Sequence, residues 1–171
     1  LAVVVPVFNE AATIESTLAR LASLRARGTR VIVVDGGSTD ATAVLSKAHA
    51  DRVLQSERGR AQQMNAGARA AIDDGADVLL FVHADSALPE SADRLIETSL
   101  RTSGRAWGRF DVRIDGQVPM LSVVSAMMNW RSRLTGICTG DQGIFVTRSA
   151  FERLAGFAPI ALMEDVEFSK R

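Results

Sequence analysis

The chain has 171 residues, long enough for one domain with a substantial core and too short for two. Its twenty basic and twenty acidic residues cancel to a formal net charge of zero, which excludes a nucleic-acid binder that relies on a general positive field. The single cysteine, Cys138, excludes an internal disulfide, and no apolar run reaches the roughly 18 residues of a membrane span, so the chain reads as soluble and cytoplasmic.

Ala2-Val3-Val4-Val5 is a short β-branched run that predicts a buried strand closed by Pro6, which has no N–H for a ladder. Ile14, Leu18, Leu21 and Leu24 recur at helical spacing up to Gly28, and Val31 to Val34 reads as the next strand. Asp40 stands before Ala41-Thr42-Ala43-Val44-Leu45 as an N-cap. Arg52-Val53-Leu54-Gln55 is a weaker third strand. An alanine-rich helix follows Arg58-Gly59-Arg60, with Met64, Ala68, Ala71 and Ile72 on one face and Gly75 at its end. Val78 to Val82 is the clearest strand. Fourfold alternation of strand and helix predicts an α/β fold, a mostly parallel sheet with right-handed crossovers and helices on both faces.

Beyond that point the pattern changes. Trp107 to Ile114 alternates Phe110, Val112 and Ile114 with Arg109, Asp111 and Arg113, which predicts an antiparallel or edge strand with one wet face. Met120 to Leu134 is an amphipathic helix candidate, Ile144 to Thr147 a last strand, and Ser149 to Glu152 has capping-box spacing ahead of Gly156. The start at Leu1 and the stop at Lys170-Arg171 inside an opening helix read as those of a fragment.

The chemistry-bearing residues stand just past the apolar runs: Asp35 after Val31–Val34, His83-Ala84-Asp85 after Val78–Val82, and Glu164-Asp165 after Pro159-Ile160-Ala161-Leu162-Met163. Parallel strand ends open on one sheet edge, where open α/β sheets bind ligands, so the three acidic groups are expected in a common cleft. Asp35 is a candidate for a ribose hydroxyl or base N–H; the other reading is a polar turn through Gly36 and Gly37. Arg58-Gly59-Arg60 precedes a helix, a place that suits a diphosphate but also an ordinary basic turn. Gln63 and Asn65 are either ligand contacts or helix surface. Asp85 suits Mg²⁺ or Mn²⁺ completed by phosphate oxygens and water, with His83 joining for Mn²⁺; alternatively Asp85 caps the coming helix. Glu164-Asp165 reads as a proton acceptor or as an acidic first turn. Gly140-Asp141-Gln142 contacts substrate or closes a turn, and Arg131 and Arg133 reach phosphate or solvent. Met120, Met127, Met128 and Trp130 read as core, with a lipid or acceptor surface as the alternative.

Val4-Val5-Pro6-Val7-Phe8-Asn9-Glu10, Val33-Val34-Asp35-Gly36-Gly37-Ser38-Thr39-Asp40, His83-Ala84-Asp85, Gly140-Asp141-Gln142-Gly143 and Met163-Glu164-Asp165-Val166-Glu167 resemble the family 2 glycosyltransferases. The resemblance is to a subgroup with His-Ala-Asp in place of Asp-X-Asp. It implies a single GT-A domain, with a Rossmann-like nucleotide half over about 1–104 and an acceptor half over about 105–171. It further implies metal-assisted, inverting transfer from a UDP- or GDP-linked sugar to an acceptor hydroxyl, in the cytoplasm or at the cytoplasmic face of a membrane. By that resemblance Pro6, Glu10, Asp35 and Gly37 line the nucleoside pocket, and Arg58, Gly59 and Arg60 approach the diphosphate, together with His83 and Ala84. Asp85 holds the metal with His83, Asp165 is the general base, and Gly140, Asp141, Gln142 and Glu164 meet substrate. Gly36 stands where many relatives have a second aspartate, and the Gln-X-X-Arg-Trp motif of processive members is absent. A sugar nucleotidyltransferase and a non-catalytic nucleotide-binding module are the competing readings.

Overall fold

The computed structural model describes every residue except 117, 119 and 161. Six strands form one sheet: β1 (Ala2–Val7), β2 (Arg30–Asp35), β3 (Arg52–Gln55), β4 (Val78–Phe81), β5 (Trp107–Arg109) and β6 (Ile144–Thr147), in spatial order β3-β2-β1-β4-β6-β5. The first four run parallel, while β6 lies antiparallel against β4 and against β5. This is the expected mostly parallel α/β sheet with a small antiparallel edge.

Strand alternation divides the core into two layers. Val4, Ile32, Val34, Leu79 and Phe81 face one side and meet α4 (Arg60–Asp73), α7 (Arg148–Arg153) and α8 (Glu164–Lys170). Val3, Val5, Val31, Val33 and Leu80 face the other, where they meet α1 (Ile14–Ala19), α2 (Ala22–Ala26) and α5 (Ala92–Ser103). The remaining helices are α3 (Thr42–Ser46) and α6 (Met120–Thr135). On α4 the approach to the sheet is close enough to require glycine, since a Cβ on Gly67 would lie 2.4 Å from Val4 Cγ1.

Several expectations are corrected. β1 does not close at Pro6 but runs on to Val7. Val4 accepts from Val82 on the β4 side and Val7 from Gly36 on the β2 side, so alternation turns the Pro6 nitrogen toward β4. The β1–β4 pairing ends there, at Val4 and Phe81. Proline is tolerated because its missing donor falls where the two strands part, and that parting opens a cleft. The helix expected from Ile14 to Leu24 is two short ones interrupted around Arg20 and Leu21, although all four apolar residues are buried. α7 starts at Arg148, with Thr147 rather than Ser149 accepting from the Ala150 N–H. α5, capped by Gly104 in the left-handed region, begins at Ala92, too far along for Asp85 to cap it.

The strand expected over Trp107–Ile114 stops at Arg109. After it, Asn129 of α6 accepts from the Val112 N–H and donates to the Val112 carbonyl, both at 2.9 Å, and Ser125 Oγ accepts from the Ile114 N–H. The helix thus supplies with side chains what a neighbouring strand would supply with main chain. Its body-facing residues are Ser125, Ser132 and Asn129, while Met120, Val123, Met127, Trp130 and Leu134 are exposed. The expectation that Met120, Met127 and Trp130 are core is therefore reversed; Met128 is half-buried. None of the described residues of 159–163 is in a strand: Ile160, Leu162 and Met163 are exposed and Met163 has φ +64°, with Ala161 outside the described residues.

Candidate functional site

A cavity of about 320 Å³ lies where β1 and β4 separate, lined by Pro6, Val7, Phe8, Glu10, Arg58, Gly59, Arg60, Gln63, His83, Ala84 and Asp85. The sheet winds away from β1 in both directions, so this is the topological switch point at which open sheets bind ligands. Most of these residues are ones the sequence singles out for the site; Val7 and Phe8 are not, and Gln63 is left open by the sequence between ligand contact and helix surface. Phe8 carries the Arg58 guanidinium over its ring, 4.0 Å from the centroid, a cation–π contact that fixes one wall. Gln63 is buried and donates from Nε2 to the Val7 and Val34 carbonyls, each at 2.8 Å. It is not helix surface: its Nε2 ties the ends of β1 and β2 together. Asn65 likewise bonds both the N–H and the carbonyl of Phe157.

The two arginines are exposed at the start of α4, whose free N–H groups and dipole add to their charge. Asp85 is exposed and lines the same cavity, and Ala84 accepts from Thr17 through its carbonyl. The lining thus combines the cationic side chains of Arg58 and Arg60 with the carboxylates of Glu10 and Asp85.

Asp35 is placed differently from the expectation. It is fully buried, and its carboxylate accepts from the N–H and hydroxyl of Ser38. The loops after β1 and β2 are laced together instead. Asn9 accepts from the Ser38 hydroxyl's neighbour Thr39 and donates to Ser38 Oγ, the Glu10 N–H donates to Thr42, and the Ala11 N–H to Asp40. Asp40 also accepts from the N–H and hydroxyl of Thr42, but the cap position of α3 is Ala41 and not Asp40 as expected, so Asp40 holds the first turn from one residue further out. These bonds hold its carboxyl below the usual range, that from the Thr42 hydroxyl most strongly. Gly37, with φ +85°, is an exposed part of this turn.

On the far side, Gly140–Gln142 forms a single 3-10 turn. Gly140 packs against the imidazole of His83 so closely that a Cβ would meet Cε1 at 2.1 Å and Nε2 at 2.4 Å. His83 Nδ1 lies 3.7 Å from Asp141. That polar contact lowers the Asp141 carboxyl from its ordinary value, against partial burial and assisted by the charge of Arg60. The ring of His83 is thus engaged on both edges by the turn. The side chain of Gln142 is buried, its oxygen accepting from the Thr139 N–H, and Glu164 is buried as well. Both are turned into the protein rather than toward an open substrate site. Asp165 accepts from the Gly140 N–H and from its own neighbour Val166.

Burial of aromatic rings places Asp165. Phe168, one turn further along α8, stacks on Phe157 with centroids 4.4 Å apart, and Phe157 meets Phe81 of β4 edge-on at 4.8 Å. α8 is thereby pinned to the strand that delivers His83 and Asp85. Asp85 and Asp165 are linked through His83 and Gly140; Asp35 ends β2 beside Val7 on the same sheet edge, buried and outside the residues that line the cavity. Arg133 pairs with Asp111, and Arg131 is exposed. Cys138 is fully buried with its thiol pushed up to about 11, chiefly by burial, which makes it a structural residue and no nucleophile. Among the described residues no three His, Cys, Asp or Glu side chains gather as a metal cage, and no helix is long and apolar enough to cross a membrane.

The family model for glycosyl transferase family 2 matches residues 2–151. The succinoglycan biosynthesis protein ExoA of Rhizobium meliloti (strain 1021) is 36% identical over 107 residues, which is 58% of this chain and 32% of that protein. Among solved structures, the mannosyltransferase PcManGT from Pyrobaculum calidifontis, in complex with GDP-Man and Mn²⁺, superposes with a TM-score of 0.73 at 23% identity over 98% of this chain and 50% of its own. Staphylococcus aureus TarS 1-349 gives 0.77 at 19% identity, covering 98% and 53%. Glucosyl-3-phosphoglycerate synthase from Mycobacterium tuberculosis, in complex with Mn²⁺, UDP and glucosyl-3-phosphoglycerate, gives 0.66 at 23%, covering 96% and 62%. The chain spans about a third of the curated relative and between half and two thirds of these structures. The sheet order, the cleft at the switch point and the match over residues 2–151 lead to one assignment: the fold is GT-A, and the chain belongs to glycosyl transferase family 2.

Proposed function

We propose that the chain is the catalytic part of an inverting glycosyltransferase that moves a sugar from a UDP- or GDP-linked donor to an acceptor hydroxyl. On this reading residues 1–104 hold the nucleotide and residues 105–171 face the acceptor. The observation that carries it is the linkage of Asp165 to Gly140 and of Gly140 to His83, which couples a candidate base to the motif containing Asp85. PcManGT and the synthase, solved with nucleotide or sugar nucleotide and Mn²⁺, support the choice of donor class and a divalent cation.

The residues present fit such a cation. Asp85 is one exposed carboxylate at the cavity mouth, and without a protein cage the remaining ligands are diphosphate oxygens and water. His83, engaged by Gly140 and Asp141, then acts as the support of that site more than as a ligand. When bound, the cation offsets charge on the departing diphosphate. Arg58, Arg60 and the start of α4 do the same without reorganising.

In the transfer step the acceptor oxygen forms a bond to the anomeric carbon as the bond from that carbon to the diphosphate breaks. The diphosphate leaves with the electron pair. Asp165 takes the hydroxyl proton, and its two accepted N–H bonds hold the carboxylate in one orientation. Attack opposite the leaving group gives inversion.

Calorimetry with UDP and GDP, with and without Mn²⁺, tests this. Wild-type protein is expected to bind one of them in a Mn²⁺-dependent manner, Asp85→Ala to lose that dependence, and Asp165→Asn to keep donor binding while losing nucleoside diphosphate release from the sugar donor. Both variants behaving as wild type would overturn the assignments.

A further inference from the structure

Gln63 is a polar residue of the cavity that the transfer step does not use. Gln63 is 4% exposed, yet it lines the cavity. Its Nε2 faces two carbonyls, those of Val7 and Val34. Only an NH₂ group satisfies two carbonyls, so the amide has one orientation and both of its protons are engaged. The oxygen is left on the other side, and among the described residues no donor is paired with it. The group therefore offers a ligand an acceptor and nothing else.

Its position is matched to the glycine at residue 36. A Cβ on Gly36 would lie 3.0 Å from both Cδ and Oε1 of Gln63 and 3.1 Å from Nε2. The amide lies in the space into which a side chain at residue 36 would project, so a side chain there would push the amide aside by a few tenths of an ångström. Here the acceptor at the ends of β1 and β2 comes from a helix and is neutral. The charged groups that line the cavity are Glu10, Arg58, Arg60 and Asp85; Gln63 is a neutral amide with a fixed orientation among them, suited to the uncharged part of the ligand.

We propose that Gln63 is a specificity-determining residue whose side-chain oxygen accepts the ring N–H of a uracil or guanine base. This rests on the reading of the cavity as a nucleoside diphosphate site and adds which atom selects the base. The bonds to Val7 and Val34 hold the oxygen before the ligand arrives, so little ordering is needed on binding. A base whose ring nitrogen carries a methyl group in place of hydrogen lacks the donor.

The test is a calorimetric cycle with Mn²⁺ present, using UDP, GDP, 3-methyl-UDP and 1-methyl-GDP against wild type and Gln63→Met, with thermal melts as the control for folding. Wild type is expected to prefer its nucleotide over the methylated analogue by about tenfold, the worth of one hydrogen bond. In Gln63→Met that ratio shrinks toward one because the natural nucleotide weakens and the methylated one does not. Gly36→Ala, which crowds the amide and keeps Gln63, is expected to shrink it as well and serves if Gln63→Met does not fold. A wild-type ratio of one, or equal weakening of all four ligands by the substitution, overturns the role of Gln63 and leaves the cavity reading standing. No binding of any of the four by wild type overturns both.

Discussion

Helices α4 and α6 are similar in length but built on opposite principles. α4 turns Ala61, Met64, Gly67, Ala68 and Ala71 to the sheet, with small residues that allow close approach and burial of the Val4 and Val34 methyls. α6 turns Ser125, Asn129 and Ser132 inward and leaves Met120, Val123, Met127, Trp130 and Leu134 in solvent. The first helix is held by apolar burial and the second by directed hydrogen bonds to residues 112–114. Helical periodicity is present in both; which face is buried depends on what the helix meets. The region that carries the cavity therefore rests on a continuous core, whereas residues 112–114 and α6 rest on a few polar contacts.

That contrast can be broken most severely at its junction. Phe157 is 2% exposed between Phe81 and Phe168, so Phe157→Ala is expected to cost about 3–5 kcal/mol in urea unfolding, the range for deleting a buried aromatic ring. Nucleotide affinity and Asp165-dependent transfer should separate in the folded fraction, because the ring anchors α8 and not the cavity. A smaller effect is expected from Asn129→Ala. It strands the Val112 N–H and carbonyl, a loss of about 1–3 kcal/mol, with faster amide exchange confined to residues 110–114; faster exchange spreading into β1 or β4 would show that α6 supports the main core after all. The smallest effect is expected on the outer face. Met127→Gln with Trp130→Gln should change stability by no more than about 0.5 kcal/mol each, since those side chains are 64% and 66% exposed. A large loss would mean that the face is covered in solution.

The alternation of apolar runs made four parallel strands and the helix after Arg58-Gly59-Arg60 legible, because burial on both faces forces continuous Val, Ile and Leu runs. A place just past a strand then marked Asp85, and a place just ahead of a helix marked Arg58 and Arg60, as candidate site residues. The same rule put Asp35 after β2 as expected but gave no sign that its carboxylate is buried and accepts from Ser38. A side chain's partner thirty residues away leaves no mark in local pattern, as with Asn9 and Thr39. α5 had a readable signal in Ser91, Ile96, Leu100 and Gly104. The break near Arg20 and the stop of β5 at Arg109 had none.

By itself the sequence determined the strand faces, the small-residue face of α4 and the acidic and basic residues that terminate strands. These follow from short-range chemistry: branched side chains, side-chain periodicity and turn residues. Only the tertiary structure decided that Pro6 ends the β1–β4 ladder and opens the cleft, that Gln63 takes the space left by Gly36, and that Gly140 joins Asp165 to His83. Each of these depends on atoms distant in the chain competing for the same few ångströms, and that competition is settled only when the elements pack.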